Sequence, residues 1–172
     1  MKITRKWAMP NKNTFKIKPI YELILKYVGG GSDYHWIDPF ANDSVFKEYF
    51  VTNDINKKFK TTHNMEALDF LKLFFDNSVD GAVYDPPYSS YQGRKVYEGY
   101  KGLQRPSDMY MRELCRIIKP KGYVISCGWN SNGMPKNRGF EKQEVLLIAH
   151  GSGHNDTIVT VDKKEVMLCD TE

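Results

Sequence analysis

The sequence predicts an α/β fold in which a mostly parallel sheet has helices on both faces and ends in an antiparallel hairpin. Short apolar runs typical of buried strands alternate along the chain with apolar stripes at helical spacing, and glycine or proline marks most boundaries. The chain has 172 residues, of which 41% are hydrophobic. This size fits one compact domain over residues 1–172.

Three segments have the apolar spacing of helices. The first helix is bounded by a proline near its first turn and by a glycine run after its last turn. A Lys-Pro-Lys-Gly turn at residues 119–122 is expected to end the third helix. The first predicted helix begins near Pro19 and ends before residues 29–31. The second begins near Met65 and ends after Phe74, and the third begins near Pro106 and ends at Ile118.

Six segments are predicted to be strands because they are short, apolar and bounded by turn-forming residues. The last two surround a Gly-Ser-Gly turn at residues 151–153, which predicts the hairpin. Between the first and second predicted strands, residues 41–47 leave room only for a short helix. The predicted strands cover residues 34–37, 49–52, 81–84, 123–127, 145–149 and 157–161.

A basic segment without periodicity precedes the first helix. Residues 1–18 contain five lysines, one arginine and no acidic residue, whereas the net charge of the whole chain is only +4. Such a segment suits contact with a polyanion, and it equally suits a solvated flexible arm.

The composition excludes several classes of protein. The three cysteines are far apart, so neither a disulfide framework nor a Cys-x-x-Cys metal pair can form. No stretch approaches the ~20 apolar residues of a membrane span, and no signal peptide is present. His150 and His154 flank a glycine turn and are assigned to the hairpin, so no metal site is predicted. We therefore expect a soluble, cytoplasmic protein.

Three acidic residues, Asp38, Asp54 and Asp85, each follow the end of a predicted strand. Because ligands of such sheets bind at the carboxyl ends of the strands, these residues are expected to line one rim. Carboxylates repel phosphate and no G-x-G-x-x-G cradle is present, so a mononucleotide phosphate is disfavoured. S-adenosylmethionine fits better, since oxygen acceptors satisfy its sulfonium, its ammonium group and its ribose hydroxyls.

The segment after the third predicted strand is Asp85-Pro86-Pro87-Tyr88. Consecutive prolines fix φ, so the Asp85 carboxylate and the Pro86 carbonyl can be held as two aimed acceptors. Two acceptors that grip the hydrogens of an exocyclic amine favour the pyramidal geometry that frees its lone pair. Tyr88 then offers a face on which an unpaired base can stack. The simpler interpretation is an ordinary proline-rich turn.

These residues resemble a known family. Asp85-Pro86-Pro87-Tyr88-Ser89 resembles the catalytic signature of amino-directed DNA methyltransferases, especially those that make N6-methyladenine. Trp36-Ile37-Asp38-Pro39-Phe40-Ala41 resembles the cofactor-loop signature of the same family. The resemblance implies a Rossmann-like class I methyltransferase fold, with Asp85, Pro86, Pro87 and Tyr88 as the catalytic segment.

The resemblance also implies a set of residues for S-adenosylmethionine. Asp54 is similar to the acidic residue that binds the ribose, and Glu66 to the acidic residue near the cofactor adenine. Residues 13–15 are similar to the segment that closes over the methionine end. One departure is Asn42, which stands where the family usually has glycine. The implied cofactor-binding residues are Asp38, Pro39, Phe40, Asp54, Glu66, Asn13, Thr14 and Phe15.

Two segments are candidates for substrate contact. The loop at residues 89–104 interleaves tyrosines with basic residues, which suits base stacking and phosphate contact and equally suits a mobile surface loop. Residues 129–132, Trp-Asn-Ser-Asn, follow the predicted strand 123–127 and either contact substrate or cap a loop. The implied substrate-binding residues are Tyr88, Ser89, Tyr91, Arg94 and Lys95.

The sequence thus favours transfer of a methyl group to the N6 amine of adenine, with DNA preferred over RNA as the polymer. The alternatives are an RNA methyltransferase acting on adenine N6 or guanine N2, and a non-catalytic module that binds nucleotide or protein on the same fold. The chain has no room for a separate recognition domain, which is compatible with a homodimer or an accessory recognition subunit. A bacterial or phage-encoded protein is expected.

Overall fold

The computed structural model describes residues 1–29, 35–87, 106–151 and 153–166. Within these residues, seven strands form one sheet and three α-helices accompany it. The strands are β1 (Lys2–Trp7), β2 (Trp36–Asp38), β3 (Val51–Thr52), β4 (Val79–Tyr84), β5 (Ile118–Gly128), β6 (Phe140–Ala149) and β7 (Thr157–Lys164). The helices are α1 (Lys18–Val28), α2 (Ala67–Leu71) and α3 (Ser107–Ile117), with 3₁₀ turns at Thr14–Lys16 and Lys136–Arg138.

The strands lie in the order β1-β6-β7-β5-β4-β2-β3. β2, β3, β4 and β5 pair in parallel, and β1 is parallel to β6. β7 runs antiparallel to both of its neighbours, β5 and β6. All described strands except β7 therefore point the same way. The prediction of a mostly parallel sheet with an antiparallel hairpin near the C-terminal end is confirmed.

Two apolar clusters lie on opposite faces of the sheet. Val83 and Ile125 belong to the cluster beneath α1, whereas their chain neighbours Ala82 and Val124 belong to the cluster beneath α2 and α3. This alternation follows from the two-residue period of a strand. β4 and β5 are therefore buried on both faces, as is typical of central parallel strands.

Three local expectations were wrong. The segment expected as a short helix at residues 41–47 contains a turn at residues 45–49, with the Phe46 N–H bonded to the Ser44 hydroxyl oxygen. α2 has only five residues. The turn expected at residues 119–122 lies inside β5, which follows α3 directly, with Lys121 at a φ of 70° and a register shift against β4.

β1 lies within the basic segment, where no periodic element was predicted. It pairs with β6 from Lys2, opposite Glu144, to Trp7, opposite Ala149. The exposed fractions of Ile3 and Trp7 are 61% and 65%, so this edge strand has no buried apolar face that a sequence pattern would reveal. Its charged side chains are typical of a protected sheet edge.

Candidate active site

The carboxyl ends of β2, β3 and β4 bring the three predicted acidic residues together. Asp38 is the last residue of β2, Asp54 lies two residues after β3, and Asp85 directly follows β4. The negative charges of Asp85 and Asp54 both raise the pKa of Asp38, as expected only for neighbouring carboxylates. One edge of the sheet therefore carries a cluster of acidic groups.

Asp38 is the most deeply buried member of this cluster, with an exposed fraction of 0%. Its Oδ1 accepts the Phe40 N–H at 3.3 Å, whereas its Oδ2 has no hydrogen-bond partner among the described residues. Burial raises the pKa of this carboxyl to about 8, although hydrogen bonds from Ser44 and Phe40 oppose the rise. At neutral pH the Asp38 carboxyl therefore holds a proton, and Oδ2 is a buried polar atom available to a ligand.

The side chain of Asn53 joins the loops that follow β2 and β3. Its amide nitrogen donates to the Pro39 carbonyl at 3.1 Å and to the Met65 carbonyl at 3.0 Å, and its oxygen accepts the Met65 N–H at 3.1 Å. The Asn53 backbone adds bonds to the carbonyl of Asp38 and from the N–H of Ala41. No role was predicted for Asn53 from the sequence.

Asp54, the residue implied for the ribose, is engaged with the backbone. Its Oδ2 accepts the Asn42 N–H at 2.9 Å and its Oδ1 accepts the Asn56 N–H at 2.7 Å. Burial raises the pKa of this carboxyl, and these two hydrogen bonds lower it. Asp54 therefore shapes the loop after β2, and a contact with a ribose would use the lone pairs that remain on its oxygens.

Asn42, which stands where the family usually has glycine, has a φ of 50°. This left-handed region is open to glycine and, among other residues, best tolerated by asparagine and aspartate. The loop thus keeps the conformation that a glycine would permit, and its N–H still reaches Asp54.

Residues 13–15 lie against the same loop. The Asn13 side-chain amide donates to the Asp43 carbonyl, and the Lys16 ammonium lies 3.2 Å from the Asp43 carboxylate. Phe15 is buried, with its ring centroid 6.0 Å from that of Phe46. The chain therefore runs from the end of β1 across the carboxyl edge of the sheet to the loop after β2, so part of the basic segment belongs to the site.

Phe40 and Glu66 lie on the face of the sheet covered by α2 and α3. The Phe40 ring makes edge contacts with Tyr84 and Tyr110, at centroid distances of 5.7 and 5.5 Å. Glu66 accepts the Leu68 N–H at 2.8 Å as the N-cap of α2, and its other oxygen accepts the Tyr110 hydroxyl at 2.7 Å. Glu66 therefore fixes α2 against α3, a role that the sequence did not indicate.

Asp85 belongs to this acidic edge, and Pro86 and Pro87, which follow it, line a cavity. All three are half-buried. The cavity has a volume of about 540 Å³ and lies between the ends of β4 and β5 and the start of α3. Its lining includes Tyr84, Pro86, Pro87, Tyr110, Ser126 and Trp129.

The remaining residues of the predicted substrate site lie outside the described residues. These are Tyr88, Ser89, Tyr91, Arg94 and Lys95, together with the rest of the loop at residues 89–104.

The predicted hairpin histidine His150 is a structural residue. Its two ring nitrogens lie 2.8 Å from the Ala8 carbonyl and 2.8 Å from the Thr157 hydroxyl, which ties the end of β1 to β6 and β7. Among the described residues, no three acidic, histidine or cysteine side chains are grouped so that they could hold a metal ion. No helix in the same part of the chain is long and apolar enough to cross a membrane.

Neither models of protein families nor curated proteins give a match to this chain. Solved structures that share its fold include a SAM-dependent methyltransferase from Methanosarcina mazei, which is 14% identical, with a TM-score of 0.57 over 85% of this chain and 98% of that one. TrmN from Thermus thermophilus is 15% identical, with a TM-score of 0.58 over 86% of this chain and 49% of that one.

A third similar structure is the 1,6-didemethyltoxoflavin-N1-methyltransferase of Burkholderia thailandensis, which was solved with bound S-adenosylhomocysteine. It is 12% identical, with a TM-score of 0.53 over 76% of this chain and 71% of that one. At such identities the likeness establishes the fold. The Rossmann-like class I methyltransferase fold predicted from the sequence is confirmed.

Replacing Asn42 tests the left-handed conformation of the loop. Asn42→Gly and Asn42→Ala both lose the side-chain bond to the Asp43 N–H, so their difference isolates the backbone. We expect Asn42→Ala to be less stable than Asn42→Gly by about 1 kcal/mol, because alanine pays for a positive φ. Urea denaturation measures both free energies of unfolding, and equal values would show that the loop does not hold this φ.

The buried Asp38 carboxyl predicts a pH dependence of stability. Its pKa is about 8 in the folded protein against an ordinary value of 3.8, so between these values the folded state binds more protons than the unfolded state. The stability contributed by this group is present at low pH and is lost as pH rises through that window, by up to about 1.4 kcal/mol per pH unit. Asp38→Asn has no such proton to lose.

The free energy of unfolding of Asp38→Asn, relative to the wild type, should therefore increase steadily from about pH 5 to about pH 8. Subtracting the wild type removes the titration of the other groups that the two proteins share. A difference that stays flat across this range would mean that Asp38 is already ionised in the folded protein.

Proposed function

We propose that this protein transfers a methyl group from S-adenosylmethionine to the exocyclic N6 amine of adenine in DNA. The observation that carries the proposal is the position of Asp85-Pro86-Pro87 on this fold. The segment directly follows the buried strand β4, with the acidic edge on one side and a cavity on the other. A group held by the acidic edge can thus meet a group held in the cavity at Asp85 and Pro86.

The acidic edge fits a cofactor that carries positive charge and hydrogen-bond donors. The free Oδ2 of Asp38 is a buried acceptor, and a cation bound beside it would favour the ionised carboxylate. Asn13 and Phe15 lie against the loop after β2, where they would cover the methionine end of the cofactor. Solved structures with this fold include a SAM-dependent enzyme and a complex with S-adenosylhomocysteine, which agrees with this cofactor.

Pro39, Phe40, Asp54 and Glu66 complete the proposed cofactor site. The Asn53 side-chain amide donates to the Pro39 carbonyl, and the Asp54 carboxylate accepts the Asn42 N–H in the loop that follows Pro39. Glu66 positions α2 beside the Phe40 and Tyr110 rings. In the proposal Asp54 faces the ribose and Glu66 the adenine of the cofactor.

Asp85 and Pro86 activate the amine that accepts the methyl group. The cofactor supplies an electrophilic methyl group on a sulfonium. The Asp85 carboxylate and the Pro86 carbonyl each accept a hydrogen of the amine, which draws its lone pair out of conjugation with the ring. The amine nitrogen then forms the new C–N bond as the C–S bond breaks, sulfur keeps the electron pair, and one amine proton is released.

DNA is proposed as the polymer because Asp85-Pro86-Pro87-Tyr88-Ser89 is similar to the signature of the DNA enzymes. Lys12 and Lys16 are exposed where the basic segment crosses the carboxyl edge, a position that suits contact with a phosphate backbone. The alternative functions are an RNA methyltransferase and a non-catalytic module. Each would give a different result in the same assay.

Incubation with labelled S-adenosylmethionine and either DNA or RNA, followed by digestion to nucleosides, separates these functions. We expect the label in N6-methyldeoxyadenosine. Label only in ribonucleosides would overturn the choice of DNA. Bound cofactor without any transfer to either polymer would favour the module.

Asp85→Ala tests the role of the motif. We expect it to abolish methyl transfer and to leave the affinity for S-adenosylmethionine largely unchanged, because Asp85 is assigned to the amine. Asp69→Ala removes an exposed acidic residue on α2 and serves as the control, with normal transfer expected. Equal loss of transfer and of cofactor affinity in Asp85→Ala would refute this role.

A further inference from the structure

The loop that follows β3 carries three lysines at the carboxyl edge of the sheet. Lys57, Lys58 and Lys60 belong to residues 55–60, which we call the lysine loop, and all three side chains are exposed. Among the described residues, none of these lysines forms an ion pair. Three uncompensated positive charges within four residues give this loop a strong positive potential.

The basic segment at residues 1–18 differs, because acidic side chains compensate most of its lysines. Four of its five lysines have a carboxylate oxygen at 3.2–3.9 Å. The pairs are Lys2 with Glu144, Lys6 and Lys18 with Glu22, and Lys16 with Asp43. The lysine loop, to which the sequence had drawn no attention, therefore carries more uncompensated charge than the segment that looked basic.

Side-chain hydrogen bonds fix the backbone of the lysine loop. Asp54 accepts the Asn56 N–H at 2.7 Å, and the Asn56 side-chain oxygen accepts the Lys58 N–H at 3.0 Å. The Asn64 side-chain amide donates to the carbonyls of Asp54 and Phe59 at 3.0 and 3.4 Å. A ligand of this loop would therefore have to order only the lysine side chains, which lowers the entropic cost of binding.

The lysine loop and Asp85 lie at the same edge of the sheet. Only β2 separates β3 from β4, so the ends of these two strands are about 10 Å apart. Asp54 and the lysine loop follow β3, and Asp85 follows β4. Phosphates of one DNA strand are about 3.4 Å apart along the helix axis. A polynucleotide with one base at Asp85 would thus bring neighbouring phosphates within reach of the lysine loop.

The cofactor proposed for this edge does not account for these lysines. S-adenosylmethionine has no phosphate, and its sulfonium and ammonium groups are positively charged. Positive charges beside Asp54 repel such a cofactor and weaken its binding. A polyanion, in contrast, gains free energy from each lysine that replaces its counterions. The charge of the lysine loop therefore suits the acceptor of the methyl group.

We propose that the lysine loop binds the phosphate backbone of the nucleic acid whose base is methylated, with Lys57, Lys58 and Lys60 on neighbouring phosphates of one strand. This inference rests on the proposed function, since it assumes that the acceptor base belongs to a polymer. Contacts of this kind fix the position of the polymer and carry no sequence information.

A triple variant, Lys57→Gln with Lys58→Gln and Lys60→Gln, tests the proposal. Fluorescence anisotropy measures the Kd of a labelled DNA duplex at several salt concentrations. The slope of log Kd against log salt should fall by about 2 to 3, because each phosphate contact contributes about 0.9. At low salt the Kd and the KM for DNA should rise by about tenfold or more, with kcat unchanged. Affinity for S-adenosylmethionine should be equal or higher.

Two matched variants control for folding and for net charge. Lys57→Arg with Lys58→Arg and Lys60→Arg keeps the charges, so it should retain the wild-type salt slope.

The second control replaces Lys72, Lys121 and Lys163 by glutamine and removes the same charge elsewhere. Lys72 ends α2, whereas Lys121 and Lys163 lie on β5 and β7 near the amino end of β4. None of the three forms an ion pair among the described residues. This control should match the wild type, and an equal fall in its salt slope would overturn the proposal.

The outcomes separate this inference from the proposed function, because binding is measured without methyl transfer. Duplex DNA, single-stranded DNA and RNA of the same sequence are each tested. If the glutamine variant of the lysine loop keeps the wild-type salt slope on all three, the inference is overturned, even where the wild type methylates DNA. A fall in kcat with an unchanged KM, or a wild type that binds none of the three polymers, would also overturn it.

Discussion

The hydrogen bonds of the buried Asn53 side chain are the interaction on which the acidic edge of the sheet depends. One planar amide donates to the carbonyls of Pro39 and Met65 and accepts the Met65 N–H. Neither a carboxylate nor a single hydroxyl offers this combination of two donors and an acceptor. Loss of the amide would leave buried carbonyls unpaired and would release the loop that begins at Asp38. The position of Glu66, next to Met65, depends on the same side chain.

With that loop fixed, the unpaired Oδ2 of Asp38 has a physical consequence. Because this oxygen is buried without a partner in the described residues, ionisation of the carboxyl is costly, and burial raises its pKa to about 8. A ligand cation at Oδ2 would replace the proton and recover Coulomb energy in a weakly screened site. Binding and folding stability would then be linked, because a ligand that binds only the folded chain stabilises it.

The sequence predicted those parts of the fold that are buried on both sides. β4 was expected at residues 81–84 and is found at Val79–Tyr84, since a strand buried on both faces shows a near-continuous apolar run, which Asp80 interrupts here. β1 was missed because its pairing with β6 buries little of its surface. At the edge of a sheet, a strand can form through backbone hydrogen bonds without burying its side chains. Its sequence then shows no hydrophobic periodicity.

The same distinction applies to the site. The meeting of Asp38, Asp54 and Asp85 followed from the ends of parallel strands, so strand positions were enough to predict it. The partners of Asp54 and Glu66 were not predictable, because they depend on the path of each loop.

The acidic edge and the cavity are built from different elements of the chain. The acidic edge is built from β2, β3 and residues 13–15, whereas the cavity is built from β5, α3 and the loop after β5. The two parts are not independent, because Tyr110 lines the cavity while its hydroxyl donates to Glu66 and its ring contacts Phe40. A change at Tyr110 would therefore reach the acidic edge through Glu66 and Phe40 as well as the cavity.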